Sequence, residues 1–322
     1  MIDLETAERL VQDDVVAVST NRDLLVVSGP DAEVYLHGQL SQDVTGMGVG
    51  DTRWTLLLQP QGKVDAWLRM HRAGTEQFLL DTEVGFGETA KARLERFKLR
   101  VDVTIVVATV PALALRGPAS AATAANAVDG VLALDASWGG VDGVDLLRTP
   151  RLDDDLDDDL DEGQEAPVDV WLASPVSIAP PGILELTRVR QGRPAMGQEL
   201  DEGTIPAAAG VVDASVDFTK GCYVGQELVA RVDSRGSNTP TRLHRLTVTD
   251  PPADIEPTSI VGAALTVDGA DAGTVTSLAR SPELGLVGLI YLKRSFEAPV
   301  SGTVTAPSGQ PLPASVEPLP VS

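Results

Sequence analysis

The sequence predicts an α+β protein with antiparallel sheets and packed helices, followed by a small all-β barrel. Three observations predict it. The first hundred residues alternate extended apolar runs with two amphipathic helical segments, an order that fits helices packed on antiparallel sheet. After Arg235 the character changes to short alternating runs, RLHRLTVT, AALTVDG, GTVTSLA, LGLVGLIYL and GTVTAPSG, separated by Gly and Pro. Hydrophobic residues make up 43% of the chain but aromatics only 4%, so the cores must be built from Val, Leu, Ile and Ala.

Taken in order, Leu24 to Ser28 reads as a strand, and Ser28 and Pro30 open a helix that places Val34, His37, Leu40 and Val44 on one face. Residues 51–82 read as a strand meander with turns at Pro60 to Gly62 and at Ala73 to Thr75. ETAKARLERFKLR then carries Ala90, Leu94 and Phe97 on one helical face, with Lys91 four residues before Glu95. A run of eight acids in ten positions, Asp153 to Glu162, lies in a stretch expected to be a solvated acidic loop over 152–166. Asp217 is a candidate cap, and GQELVARV begins a helix. The turn-rich SRGSNTP divides the chain into a large unit, 1–238, and the barrel, 239–322.

Charge and composition exclude several functions. The formal charge of −22 repels nucleic acid and anionic lipid, so neither direct nucleic-acid binding nor membrane binding is expected. The longest nearly uncharged apolar run, IVVATVPALAL from Ile105, contains Pro111 and is far shorter than a bilayer span. The start, MIDLETAERL, lacks the apolar core of a secretion signal, and one cysteine makes no internal disulfide, so a cytoplasmic location is expected. His37, His71 and His244 lack the close spacing of zinc ligands, so no metal site is predicted and each reads as surface or packing. No phosphate loop, dinucleotide-binding glycine pattern or Gly-x-Ser-x-Gly elbow is present.

The single cysteine, Cys222, lies in DFTKGCYVGQELVARVDSRG. Lys220 is two residues before it, Gly221 and Gly225 flank it, and a helix begins just after it. A nearby ammonium and a helix N-terminus both favour a thiolate, whereas a free cysteine can equally be a small buried hydrophobe. Between Arg188 and Arg235 six basic residues stand against seven acids, so this region escapes the general acidity of the chain.

KGCYVGQE, followed by Arg231 and by Arg235-Gly236, resembles the signature of the YgfZ family, folate-binding proteins related to the aminomethyltransferase, or T-protein, of the glycine cleavage system. YLHGQLSQDV (35–44), LLQPQGKVDAWL (57–68), TRVRQGRPAMGQEL (187–200) and the closing GTVTSLA and YLKR fall in the family's order. The resemblance implies an aminomethyltransferase-like folate-binding region and a C-terminal barrel around a central opening for tetrahydrofolate or a one-carbon derivative. It also implies a role in assembly or repair of iron–sulfur clusters, and through them in tRNA modification. Assembly factors or client enzymes would then be the partners, with transient contact to a cluster.

On that resemblance Lys220 and Cys222 carry the chemistry. The candidates for folate contact are Arg188, Arg190, Tyr223, Gln226, Glu227, Arg231, Gln39 and Asp43, with Gly221 and Gly225 shaping the backbone. Aminomethyltransferases carry an acid at the position Arg190 occupies here, and a guanidinium cannot accept the hydrogen bonds that acid takes from a pterin. Glycine-cleavage turnover is therefore not expected. A folate-dependent aminomethyltransferase and a cofactor-free scaffold that uses the acidic loop are the alternatives.

Overall fold

The computed structural model describes residues 1–148, 170–236 and 238–320, so the acidic run at 153–162 lies outside the described residues. Helix α1 (Leu4–Asp13) begins where the Asp3 carboxylate accepts a hydrogen bond from the Thr6 amide at 2.7 Å, a side-chain N-cap. The next element, β1 (Val16–Ser28), is the spine of the large unit. The predicted strand at Leu24 to Ser28 is only its second half.

Among the described residues eight strands form one sheet. The spine pairs antiparallel with β4 (Gln77–Thr82) on one side and β5 (Thr104–Arg116) on the other. Beyond β4 lie β3 (Val64–Gly74) and β2 (Thr52–Leu58); beyond β5 lie β7 (Gly143–Arg148) and β6 (Val131–Asp135). A two-residue β8 (Ser177–Ile178) adds parallel to the start of β1. The predicted turns at 60–62 and 73–75 fall between β2 and β3 and between β3 and β4. Pro111 sits inside β5 opposite Asn21, and β7 pairs with β5 only from Ala112 onward. The missing N–H therefore falls where the strand is flanked on one side only.

Two helices cover one face of the sheet. In α2 (Ala32–Gln39) the buried residues are Ala32, Tyr35 and Leu36, while Val34 is 75% exposed. The expected face through Val34 and Val44 is thus wrong. The helix ends at Gln39, so Val44 reaches the core from the following loop and the 3.6-residue count no longer applies to it. In α3 (Gly87–Glu95) Ala90 and Leu94 are buried as expected, but the helix stops before Phe97, whose ring lies under the Arg93 guanidinium at 4.1 Å.

After α4 (Ser120–Ala124), the helix α5 (Gly182–Arg190) and the short turns α6 (Pro206–Ala209) and α7 (Val212–Ser215) lead to α8 (Gln226–Asp233). The barrel closes from β9 (Thr241–Val248), β10 (Ala264–Val267), β11 (Ala270–Ser281), β12 (Gly285–Lys293), β13 (Val300–Thr305) and β14 (Pro311–Glu317), in the order β10-β11-β12-β9-β14-β13. Its interior is packed with Leu246, Leu265, Ile290, Leu292 and Val316. Its outer face meets the large unit through Leu243, Val287 and Leu289, which pack with Ala7, Val11, Ile183 and Leu186. That seam sets α5 between the sheet and the barrel.

Candidate functional site

The signature is held by backbone before any side chain acts. The Asp217 amide donates to the Ser41 carbonyl at 3.1 Å and the Val224 amide to the Gly38 carbonyl at 3.3 Å, so residues 217–224 run beside the end of α2. Asp217 does not cap α8. Its Oδ1 accepts from the amide and hydroxyl of Thr219 at 2.7 and 2.6 Å and from the Lys220 amide at 3.2 Å, folding the turn that leads into the motif.

Lys220 Nζ donates to three backbone carbonyls, His37 and Leu40 at 2.6 Å and Gln42 at 3.0 Å. These lie at the C-terminal end of α2, where a helix leaves carbonyls unpaired and its dipole is negative. Burial lowers the lysine's pKa to about 8, partly opposed by Asp43 and Asp217, and its ammonium lies 5.0 Å from the Tyr223 ring centroid. All three ammonium protons are thus engaged, and the lysine ties YLHGQLSQDV to KGCYVGQE.

A third motif meets these two through glycines. Gly225 has φ +85°, and a Cβ there would lie 2.5 Å from the Gln59 carbonyl oxygen and 3.2 Å from the Gly62 Cα. Gly62, with φ +79°, would in turn place a Cβ 2.5 Å from Leu228 Cβ. The β2–β3 turn and the start of α8 touch at a distance only glycine permits. The loop leaves Cys222 exposed, Tyr223 and Gln226 half-buried, and Glu227 and Arg231 exposed. Gln226 Oε1 accepts from the Tyr223 amide at 3.2 Å. Gln39 belongs to the same place and carries a buried Oε1 with no partner among the described residues. Asp43 caps the following turn through Thr45 and Gly46 and lies 3.2 Å from His37 Nδ1. His37, read from sequence as surface or packing, is therefore a neighbour of the signature; a Cβ on Gly221 would lie 3.7 Å from its Nε2. Burial and Lys220 lower its pKa, which keeps the ring neutral near pH 7.

The arginines of the 187–200 segment lie elsewhere and separate from each other. Arg190 pairs with Glu8 of α1 and with Glu283, two acids that line a cleft of about 390 Å³ between α1 and the β11–β12 turn. Arg188 faces a second cavity, of about 210 Å³, lined also by Arg22, Glu83, Arg116, Asp145, Gln191 and Arg193. Its guanidinium donates to Glu185, Glu199, Gln198, Ser277 and the Arg193 carbonyl, which welds α5 to β11. Buried Glu199 completes the weld by accepting from Ser277, while its carbonyl accepts from the Tyr291 hydroxyl at 2.6 Å.

Sequence reading missed the ion network that Arg22, Arg116 and Asp145 of that cavity's lining share with Arg69 and Asp81 behind it. Arg69 donates to Asp81 at 2.8 Å and lies 3.0 Å from Asp145; Arg22 pairs with Asp81 and Arg116 with Asp145, each at 2.8 Å. Burial would raise the Asp145 pKa, but Arg116, Arg69 and Arg22 outweigh it and hold the carboxyl well below its usual range. Arg193 stacks over Trp54 and Trp67 at 4.9 and 5.4 Å, with Glu83 3.8 Å away. Trp67 and half-buried Tyr223 belong to one apolar cluster, so this tryptophan wall joins the cavity to the signature. The signal for Arg22 was a guanidinium in the middle of a strand otherwise rich in Val and Leu.

Comparison with known proteins agrees with this architecture. Residues 14–144 match the family model described as the GCVT N-terminal domain. An aminomethyltransferase of Rubrobacter xylanophilus is 30% identical over 91% of this chain and 78% of its own length. The tRNA-modifying protein YgfZ of Cronobacter sakazakii is 28% identical over 67% of this chain and 66% of its own. An iron–sulfur cluster assembly factor IBA57 homologue of Neurospora crassa is 25% identical over 67% of this chain, which spans half of that relative's length. The solved aminomethyltransferase T of the Bartonella henselae glycine cleavage system superposes with a TM-score of 0.73 over 95% of this chain and 86% of its own, at 19% identity, which shows a shared fold.

The fold is that of the aminomethyltransferase class, a large antiparallel α+β unit joined to a closed barrel. Within that class the chain belongs to the YgfZ/IBA57 family.

Proposed function

We propose that this protein binds a reduced folate and supports assembly or repair of iron–sulfur clusters, and through them tRNA modification, in the cytoplasm. The observation that carries the reading is the signature loop, which three distant motifs build around Lys220 and which presents Cys222 to solvent. An exposed thiol on a rigid loop suits brief contact with a cluster carried as cargo, and a lone cysteine does not retain one, since clusters take about four protein ligands. The names of the YgfZ and IBA57 relatives support the same reading. Assembly factors or client enzymes are its partners.

The cavity residues fit a folate. Among the described residues, buried nitrogens of Arg22, Gln191 and Arg193 have no hydrogen-bond partner, and folate carries carbonyl and carboxylate oxygens that need donors. Folate bound there would bring a carrier of one-carbon units to the tryptophan wall behind the signature. Arg188 shapes this site through its bonds to the barrel, Lys220 positions the loop, and Cys222 is the reactive group.

Calorimetric titration of wild type and Cys222→Ala with tetrahydrofolate, under reducing and oxygen-free conditions, tests the reading. Saturable binding in both is expected, together with loss of cluster-dependent activity in a client enzyme only for Cys222→Ala. Absence of binding in both removes the folate role. The identity to an aminomethyltransferase favours aminomethyl transfer as a second reading. Arg190 weighs against it, being paired with two acids in place of a free carboxylate. Turnover with glycine-cleavage partners decides between the two.

A further inference from the structure

The turn that ends α5 is pinned by close approaches from two distant parts of the chain. Gly192 takes φ +70°, and the Arg193 amide donates to the Arg188 carbonyl at 3.0 Å, a left-handed helix ending that glycine enters without strain. A Cβ on Gly139, in the β6–β7 turn, would lie 2.3 Å from the Gln191 carbonyl oxygen. A Cβ on Gly192 would lie 2.8 Å from Leu319 Cδ2 and 3.1 Å from Pro320 Cδ, and one on Gly210 would lie 3.5 Å from Leu319 Cδ1. The segment that follows β14 therefore rests in a seat that two glycines leave open. Packing holds it there: Leu319 joins the apolar cluster of Ile183, Leu186 and Leu243. Among the described residues, 318–320 make no backbone–backbone hydrogen bond, and the prolines at 318 and 320 carry no N–H. A segment held in this way opens at a small cost in free energy.

The residues on either side of Gly192 are Gln191 and Arg193, whose side chains line the 210 Å³ cavity and carry nitrogens unpartnered among the described residues. The backbone of the turn sets the direction of both. We propose that residues 318–320 form a strap that positions Gln191 and Arg193: seated on Gly192, it fixes the turn that directs both side chains into the cavity, and lifted, it lets the turn loosen. Leu319 is a positioning residue that touches no ligand. As a control on turn rigidity the strap stands on its own; as a control on ligand affinity it rests on the folate reading above. Ligand and strap favour the same turn, so each strengthens the hold of the other.

The test measures amide hydrogen exchange and tetrahydrofolate affinity in full-length wild type, Leu319→Ala, Leu319→Met and, as a milder change at the same contact, Pro320→Ala. Leu319→Ala should speed exchange of the Gly192 and Arg193 amides about three- to tenfold, the effect of losing roughly half of a leucine's burial, and weaken tetrahydrofolate by a similar factor. Amides of β5 and β12 should exchange as in wild type, Leu319→Met should restore both readouts, and Pro320→Ala should shift them in the same direction by less. If exchange at Gly192 and Arg193 responds in this way and wild type binds no tetrahydrofolate, the strap stands and the folate reading falls. If wild type binds tetrahydrofolate and exchange at the turn is the same in every variant, the folate reading stands and the strap is overturned. Equal acceleration in the turn, β5 and β12 also overturns it, as a general loss of stability, and so does faster exchange at the turn with unchanged tetrahydrofolate affinity.

Discussion

Gly221 and Gly225 stand four residues apart in one motif and answer to different constraints. Gly225 has a left-handed backbone and a carbonyl 2.5 Å from where a Cβ would be, whereas the nearest atom to a Cβ on Gly221 lies at an ordinary 3.7 Å. Gly225→Ala should therefore lower stability by about 2 kcal/mol or more, and Gly221→Ala by less than about 0.5 kcal/mol, both read from urea unfolding. Cys222→Ala should leave stability unchanged, because the side chain is exposed. A thiol reagent should label Cys222 in the native protein at the rate of an accessible thiol; protection would remove it as the reactive group. Lys220 supplies a pH signature. Folded, it releases its proton near pH 8, and unfolded near 10.5. Between these values the unfolded chain binds more protons, so stability rises with pH through this group. The unfolding free energy of wild type relative to Lys220→Met should be flat below pH 8 and rise from there towards 10.5.

At the scale of elements, the central strands carry an ion network that their apolar runs conceal. Asp145 of β7 neutralises Arg69 of β3 and Arg116 of β5, bridging strands far apart in the chain. Removing its charge leaves buried guanidinium groups uncompensated, so Asp145→Asn should cost about 3 to 5 kcal/mol in chemical denaturation. Because Asp81 and Asp145 both have depressed pKa values, their contribution is present above the usual carboxylate pKa and is lost as pH falls below it. The strand meander was legible because its turns are marked by Pro, Gly and polar residues. The exposed side of α2 was not: with only eight residues, a count of apolar positions cannot tell Val34, which faces solvent, from Tyr35 and Leu36, which do not.

Over the whole molecule, α5 joins the large sheet unit to the closed barrel. It packs on barrel residues Val287 and Leu289, while Arg188 and Glu199 bond to Ser277. All four tryptophans lie outside the barrel, so their fluorescence reports the large unit alone. Leu289→Ala, a barrel change at the seam, should lower stability by about 2 to 5 kcal/mol and shift the tryptophan transition together with the circular-dichroism transition. Separate transitions would show that the units unfold independently.

Some properties of this protein follow from the chain read in order, because they depend on neighbours in sequence. The α+β class, the barrel, the turns and the signature around Cys222 belong there, as local patterning, turn chemistry and an eight-residue motif are one-dimensional. What the tertiary structure alone decided is how distant charges meet. Arg22, Arg188, Gln191 and Arg193 come together with Glu83 and Asp145 only when β1, β4, β7 and α5 pack round one cavity. Arg190, two positions from Arg188, points to α1 because successive turns of a helix face different neighbours. Lys220 reads as a partner of the thiol two residues away, and in the fold its donors meet the unpaired carbonyls of a helix some 180 residues earlier in the chain. Unsatisfied backbone groups draw a buried ammonium more strongly than proximity in sequence does.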